Sequence, residues 1–207
     1  VTTPRASRPA RMDPAARRAE IIGAAAELAR AEGLEAVTLR RVALRLGVAS
    51  GLVNHYFPAA DKLVAEAFGQ VVSADLDTTF AAVARQAGAV ARLRTLLTCW
   101  VAPDTEHVGP LWLDAWSFAR TNAPLRAEVN RQMLDGHERV VDLLRGGVAE
   151  QVFAPADLDA VAWRLLTLLD GVIVHSTLRV NVVPTDVGRA VAALLEHDLG
   201  LPDGSLG

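Results

Sequence analysis

The sequence predicts an all-α fold, with a small N-terminal three-helix domain followed by a larger helical domain. Three observations carry this. Apolar residues recur at three- and four-residue spacings along most of the 207-residue chain. Prolines 14, 58, 110, 124, 155 and 184 fall at the junctions between those stretches, where helices start or stop. No segment reads as a convincing strand; VNVVP, residues 180–184, looks extended but is too short to anchor a sheet.

In chain order, residues 1–12 are rich in Pro, Arg and Ala and read as a flexible basic arm. Asp13 followed by Pro14 is a helix start, an N-cap residue with proline at the first position. Ile21, Ile22, Ala25, Leu28 and Ala29 give that helix its inner face, and Gly33 ends it. Thr38 caps a second helix whose inner face is Leu39, Val42, Ala43 and Leu46, and Gly47 stops it. A third runs from Ala49 or Ser50 to Phe57, where Pro58 closes it. Two short helices about a tight turn make a helix-turn-helix, so residues 13–58 form one domain and residues 59–207 the other.

The second domain opens with a long helix from about Ala59 toward Phe80 and a break at 86–89. A helix follows through Leu93, Leu96, Leu97 and Trp100, then an irregular piece bracketed by Pro103, Gly109 and Pro110. LWLDAWSFAR (111–120) is helical and aromatic-rich, and residues 122–124 are a junction. Residues 125–151 make one helix with Val129, Met133, His137, Val140, Leu144 and Val148 on one side. The last two helices cover 157–178 and 187–199. No internal repeat is visible.

Composition narrows the function. Hydrophobic residues make up 51% and charged residues 22%, enough to bury a core. The single cysteine, Cys99, excludes an intrachain disulfide and fits a reduced cytoplasmic setting. No apolar leader is expected at the start, and no membrane span: the strongest apolar run, 163–178, is interrupted by Arg164, Asp170 and His175. The five histidines, 55, 107, 137, 175 and 197, form no metal-spaced motif, and neither a nucleophile elbow nor a phosphate-cradling glycine loop is present. No enzyme, metal or cofactor is expected. Net charge is −3, but unevenly placed: residues 1–62 balance at +4 and residues 63–207 at −7. A basic head on an acidic body implies different partners for the two parts.

The head has the makings of a major-groove reader. Gly47 lets the chain reverse, and Val48 plugs the space between the two helices. Ala49, Ser50 and Gly51 are small, so the third helix can approach DNA closely. Ser50, Asn54 and His55 supply polar tips, Tyr56 can donate to phosphate, and Phe57 packs inside. Arg40, Arg41 and Arg45 ride the preceding helix as phosphate contacts. The plain alternative is a helical hairpin whose arginines only face water.

TLRRVALRLGVASGLVNHYFPAADKLVAEAF (38–68) resembles the signature of TetR-family transcriptional regulators, and GLVNHYF is similar to their BetI-like branch. The match rests on the capping Thr38, the Gly47-Val48 turn, Gly51, and the Tyr56-Phe57 pair before a new helix. The resemblance implies that Thr38 contacts the DNA backbone, that Ser50, Gly51, Leu52 and Asn54 face base edges, and that His55 and Tyr56 touch phosphates or bases. Two positions depart from the pattern. Ala49 stands where the family usually has a capping serine, a loss of about 1 kcal/mol or less. Ala60 stands where the family has a phosphate-contacting lysine, and Lys62 lies two residues on, toward a different face. DNA affinity then leans more on Arg5, Arg8 and Arg11 of the arm and on Arg40 and Arg45.

For the second domain the resemblance implies ligand binding and dimerisation, with the last two long helices of each protomer forming a four-helix bundle. The residues agree. Ala162, Trp163, Leu166, Leu169, Asp170, Val172 and Ile173 make a nearly continuous apolar run that one small domain has trouble covering. Trp163, Leu166 and Ile173, with Ala190 and Leu194 of the last helix, are the expected dimer contacts. Trp100, Trp112, Trp116 and Phe118 crowd one segment, and Asp114, His107, Asn122, His137, Asp170 and His175 are polar groups on expected inner faces. Met133 and Val174 complete the expected ligand-pocket lining. An aromatic wall with a carboxylate can hold a quaternary ammonium. The same residues can line an apolar pocket for an acyl group or a ring system, or simply fill a core.

The expectation is therefore a homodimeric DNA-binding regulator, a repressor released from a palindromic double-stranded operator by an unidentified small-molecule effector. The competing expectation is a helical small-molecule-binding or protein-interaction dimer with a vestigial head, for which Ala49 and Ala60 speak.

Overall fold

Asp13 turns its carboxylate onto the Ala16 amide, 3.3 Å away, and Pro14 takes the first helical position, so α1 (Pro14–Glu32) starts where its sequence provides both a cap and a preset φ. In the computed structural model, which describes residues 13–101, 108–178 and 184–207, eight further helices follow and no strand is present among the described residues. They are α2 (Leu39–Leu46), α3 (Ser50–Tyr56), α4 (Ala60–Ala84), α5 (Ala89–Val101), α6 (Gly109–Phe118), α7 (Ala123–Ala149), α8 (Leu158–Thr177) and α9 (Pro184–Leu199). A single 3-10 turn, Leu34–Ala36, joins α1 to α2.

The caps explain most of the boundaries. Thr38 accepts from the Arg41 amide at the start of α2, Asn122 from Leu125 at the start of α7, and Asp157 from Asp159 and Ala160 at the start of α8. The Ala89 amide that opens α5 is capped from a distance, by the Glu150 carboxylate at the far end of α7 (2.9 Å). Glu196 of α9 turns inward and is nearly fully buried; its two oxygens accept from Gly204 (2.9 Å) and Leu206 (2.6 Å), folding the chain's end back over the helix.

Packing divides the molecule into two apolar cores. The first joins α1, α2 and α3 to the N-terminal half of α4, to Leu111, Ala115 and Ala119 in and just after α6, and to Leu125 and Val129 of α7. The second joins Val83 at the end of α4 to α5, the second half of α7, α8 and α9. Phe80 and Trp100 are half-buried against both cores, edge to face with centroids 6.0 Å apart. The α4–α7 pair is the spine that runs through both.

Several expected details change, among them the bounds of α7, which runs from Ala123 to Ala149 rather than over 125–151. On α7, Val148 is 38% exposed, and Gly147 takes the inner position instead. Phe153 folds back so closely that a Cβ at 147 would lie 2.0 Å from its ring. The last helix begins at Pro184, three residues before Val187. The expected irregular piece before Gly109 and the extended VNVVP stretch lie largely outside the described residues, as does the basic arm.

Candidate DNA-reading surface and effector region

The turn between α2 and α3 is built from backbone hydrogen bonds around a glycine. Gly47 adopts φ 66°, ψ 30°, the left-handed conformation that glycine enters without a Cβ penalty. The Gly47 amide then reaches Leu44 O (3.1 Å) and the Val48 amide reaches Ala43 O (3.0 Å). Val48 is half-buried against the first core, Val42, Ala43 and Val53 are buried beneath the helix pair, and Phe57 is 1% exposed behind it. These contacts set the angle at which α3 leaves the head.

Along α3, Ser50, Gly51, Asn54 and His55 are exposed, while Leu52 and Tyr56 are half-buried. The His55 ring stands edge-on to Tyr56, centroids 5.4 Å apart at 83°. Ala49 occupies the N-cap and no side chain caps α3; only the Leu52 amide closes onto Ala49 O (2.9 Å). Two of the three α2 arginines are engaged with α1. Arg41 holds both Glu32 oxygens at 2.6 Å, and Arg45 reaches Glu27 Oε2 through Nε (3.0 Å) and Nη2 (2.8 Å). The Arg41 hydrogen bond holds the Glu32 carboxyl below its ordinary range. Arg40 is exposed, with no hydrogen bond or ion pair among the described residues. Thr38 and Lys62 are exposed, Ala60 is half-buried, and Arg5, Arg8 and Arg11 lie outside the described residues.

In the larger domain, α6 gathers the aromatic residues. Trp112 and Trp116 are tilted together with centroids 5.6 Å apart, and Trp112 meets the edge of Phe68 from α4 at 5.1 Å. Trp100 lies at the seam of the two cores, and Phe118 and Met133 are half-buried against the first. The other polar candidates scatter. The Asn122 oxygen is committed to the Leu125 amide at 2.9 Å. His137 stacks on Trp163, centroids 4.2 Å apart, which brings an expected pocket residue and an expected dimer residue into one contact. Asp114 accepts from the Leu34 amide of the head. Asp170 and Val174 are half-buried on the side of α8 that also carries Trp163 and Leu166. Burial pushes the Asp170 carboxyl up to about 6. His175 is exposed, and His107 lies outside the described residues.

The family model for bacterial regulatory proteins of the tetR family matches residues 21–67, and the one described as BetI-type transcriptional repressor, C-terminal, matches residues 88–198. The chain belongs to the TetR family. Within the family it is similar to the regulator BetI of Vibrio atlanticus (strain LGP32), 25% identical over 166 residues that span 77% of this chain and 79% of the relative. BetI of Rhizobium meliloti (strain 1021) is 25% identical over 182 residues, 87% and 86% of the two chains. Among solved structures, a transcriptional regulator from Saccharomonospora viridis in complex with choline superposes with a TM-score of 0.73 at 23% identity, covering 89% of this chain and 98% of that one. FadR from Bacillus subtilis in complex with stearoyl-CoA superposes with a TM-score of 0.66 at 16% identity, covering 86% and 96%. At these identities the solved structures share the fold.

This TetR-family member is thus a helix-turn-helix transcriptional regulator and not an enzyme. Among the described residues no helix is long and apolar enough to cross a membrane. In the regulator's last two helices, Ala190 and Leu194 of α9 are exposed, whereas Trp163, Leu166 and Ile173 of α8 are half-buried. Arg164 and Asp198 form an ion pair between α8 and α9. Sequence reasoning missed Glu27 and Glu32 as partners of the α2 arginines, Phe68 and Phe80 as aromatic partners of the tryptophans, and the destination of Asp114. Helical spacing carried no signal for these, because the partners come from other elements.

Proposed function

We propose that this regulator is a cytoplasmic homodimeric repressor that binds a palindromic operator and is released by a small cationic effector of the quaternary ammonium class. Residues 13–58 form the reading head, with Ser50, Gly51, Leu52 and Asn54 toward base edges and Arg40, His55, Tyr56 and Lys62 toward the backbone. Residues 59–207 bind the effector and dimerise through α8 and α9. The observation that carries the effector class is Asp170: a half-buried carboxylate with no hydrogen bond or ion pair among the described residues, on a helix that packs against tryptophan-bearing α6. A permanent cation supplies the missing charge without needing a donor, and indole faces hold it by cation–π attraction. The choline complex of the Saccharomonospora viridis relative supports the same class.

Release follows if the effector binds best to a dimer whose α3 helices are spaced wrongly for successive major grooves. The seam between the two cores, marked by Phe80 and Trp100, is where such a ligand has leverage, because one core contains the head and the other does not.

The test is fluorescence anisotropy against duplexes tiled from the DNA flanking the protein's own gene, with choline chloride as the probe. The expected result is one palindrome bound at least ~10³-fold more tightly than unrelated duplex, and its release by choline. Operator binding that choline leaves unchanged removes the effector class. Only weak, uniform binding favours the second reading, a ligand-binding dimer with a vestigial head. The uncapped α3 and the arginines held by Glu27 and Glu32 speak for that reading.

A further inference from the structure

Gly33 ends α1 at φ +86°, and the 3-10 turn Leu34–Ala36 follows before Thr38 caps α2. The Leu34 amide donates to Asp114 Oδ2 at 2.9 Å, across 80 residues of sequence. The approach is tight: a Cβ at position 33 would stand 2.9 Å from the same oxygen. Glycine there meets both the positive φ and the closeness of α6. Leu34 is 1% exposed, and Leu111 and Ala115 of α6 are buried in the same core. A helix turns about 100° per residue, so Trp112 and Trp116 lie on the opposite side of α6 from Asp114. One side of this short helix therefore carries the aromatic pair and the other grips the head.

We propose that Asp114 is the positioning residue that couples the effector region to the DNA head, by capping the Leu34 amide so that α6 and the 3-10 turn move as one body. The proposal rests on the reading of an effector-released repressor and names the contact through which release travels. If α6 shifted alone, a buried amide would be left without an acceptor, which folded chains avoid. The turn therefore follows the helix, and Thr38, two residues beyond the turn, carries the displacement into α2 and α3.

The test compares the full-length wild-type protein with Asp114→Ala, which removes the acceptor, and Asp114→Asn, which keeps one. Hydrogen exchange of the free proteins comes first. In Asp114→Ala, residues 33–46 should exchange at least ~10-fold faster while α7 to α9 stay unchanged, and Asp114→Asn should resemble wild type. Choline chloride and the operator duplex come second. Asp114→Ala should still bind choline, read by tryptophan fluorescence, but the factor by which choline weakens operator binding should fall by ~10-fold or more. If Asp114→Ala does not fold, Gly33→Ala breaks the same contact from the other side and should show the same loss. Unchanged exchange, or an unchanged coupling factor in a folded variant, overturns the proposal. A wild-type protein that ignores choline sinks the effector reading alone, because the exchange comparison still decides the role of Asp114.

Discussion

The His137 imidazole lies against the Trp163 indole, ring centroids 4.2 Å apart and planes 21° apart, and this contact fastens the middle of α7 to the first half of α8. His137 is buried, and although its Nε2 lies 3.3 Å from Asp159 Oδ1, that approach lacks hydrogen-bond alignment. Stacking and burial hold the pair, and the charge on Asp159 adds little. His137→Ala should cost about 2 kcal/mol by leaving a cavity, His137→Phe should recover most of it, and Asp159→Asn should change stability by less than about 0.5 kcal/mol. Urea unfolding at one fixed protomer concentration reads all three, since dimer stability depends on concentration.

Asp170 makes a pH-dependent prediction. Its folded pKa of about 6 lies above the unfolded value of about 3.9. The ionised carboxylate therefore destabilises the fold: the effect is absent below pH ~4, grows between ~4 and 6, and is complete above 6. Asp170→Asn should raise stability at pH 7.5 by about 1–2 kcal/mol, a figure reduced for the group's partial exposure, and the gain should vanish at pH 4. Choline affinity should fall in the same variant. A gain that is flat with pH would place the effect somewhere other than this carboxyl.

The arginine pairs predict a difference in salt response. Arg40 is free to meet phosphate, so Arg40→Ala should lower operator affinity and reduce the slope of log affinity against log salt by about 1. Arg41 and Arg45 must first leave Glu32 and Glu27. Glu27→Gln with Glu32→Gln should therefore tighten DNA binding by roughly two- to tenfold at low salt, an effect that shrinks as salt screens these exposed pairs. Anisotropy titrations at several salt concentrations give both numbers.

At the start of α3, Ala49→Ser should supply the missing cap. The expected gain is about 0.5–1 kcal/mol in unfolding free energy, with the amides of α3 more protected from exchange. No gain would mean that those amides are already satisfied in solution.

What could be read from the sequence was local. Thr38, Gly47 and Pro58 each act within a few residues, and the helix-turn-helix they delimit appears as expected. The junction at residues 122–124 was legible in the same way, but α7 starts inside it, at Ala123 on the Asn122 cap, two residues before the expected Leu125. Long-range contacts were not. Arg45 and Glu27 are 18 residues apart, and Asp114 and Leu34 are 80 apart, so no periodicity joins them. Val148 was assigned inward because valine is apolar, but the inner position went to Gly147, where only a missing side chain admits Phe153. The candidate effector region was hardest. Its tryptophans cluster in sequence, yet what surrounds each is decided by α4, α7 and α8.

The placement of the two cores has an evolutionary consequence. The first core does not stop where the reading head ends: Ile21, Val53 and Phe57 share it with Phe68, Leu111 and Leu125. The head therefore cannot be grafted as a cassette ending at Pro58 without stripping its own floor. A working chimaera must carry the first half of α4, α6 and the opening turns of α7 along with it. The same division sets Trp112 and Trp116 against the head's own core, so a substitution in that aromatic pair also disturbs the floor on which α3 rests.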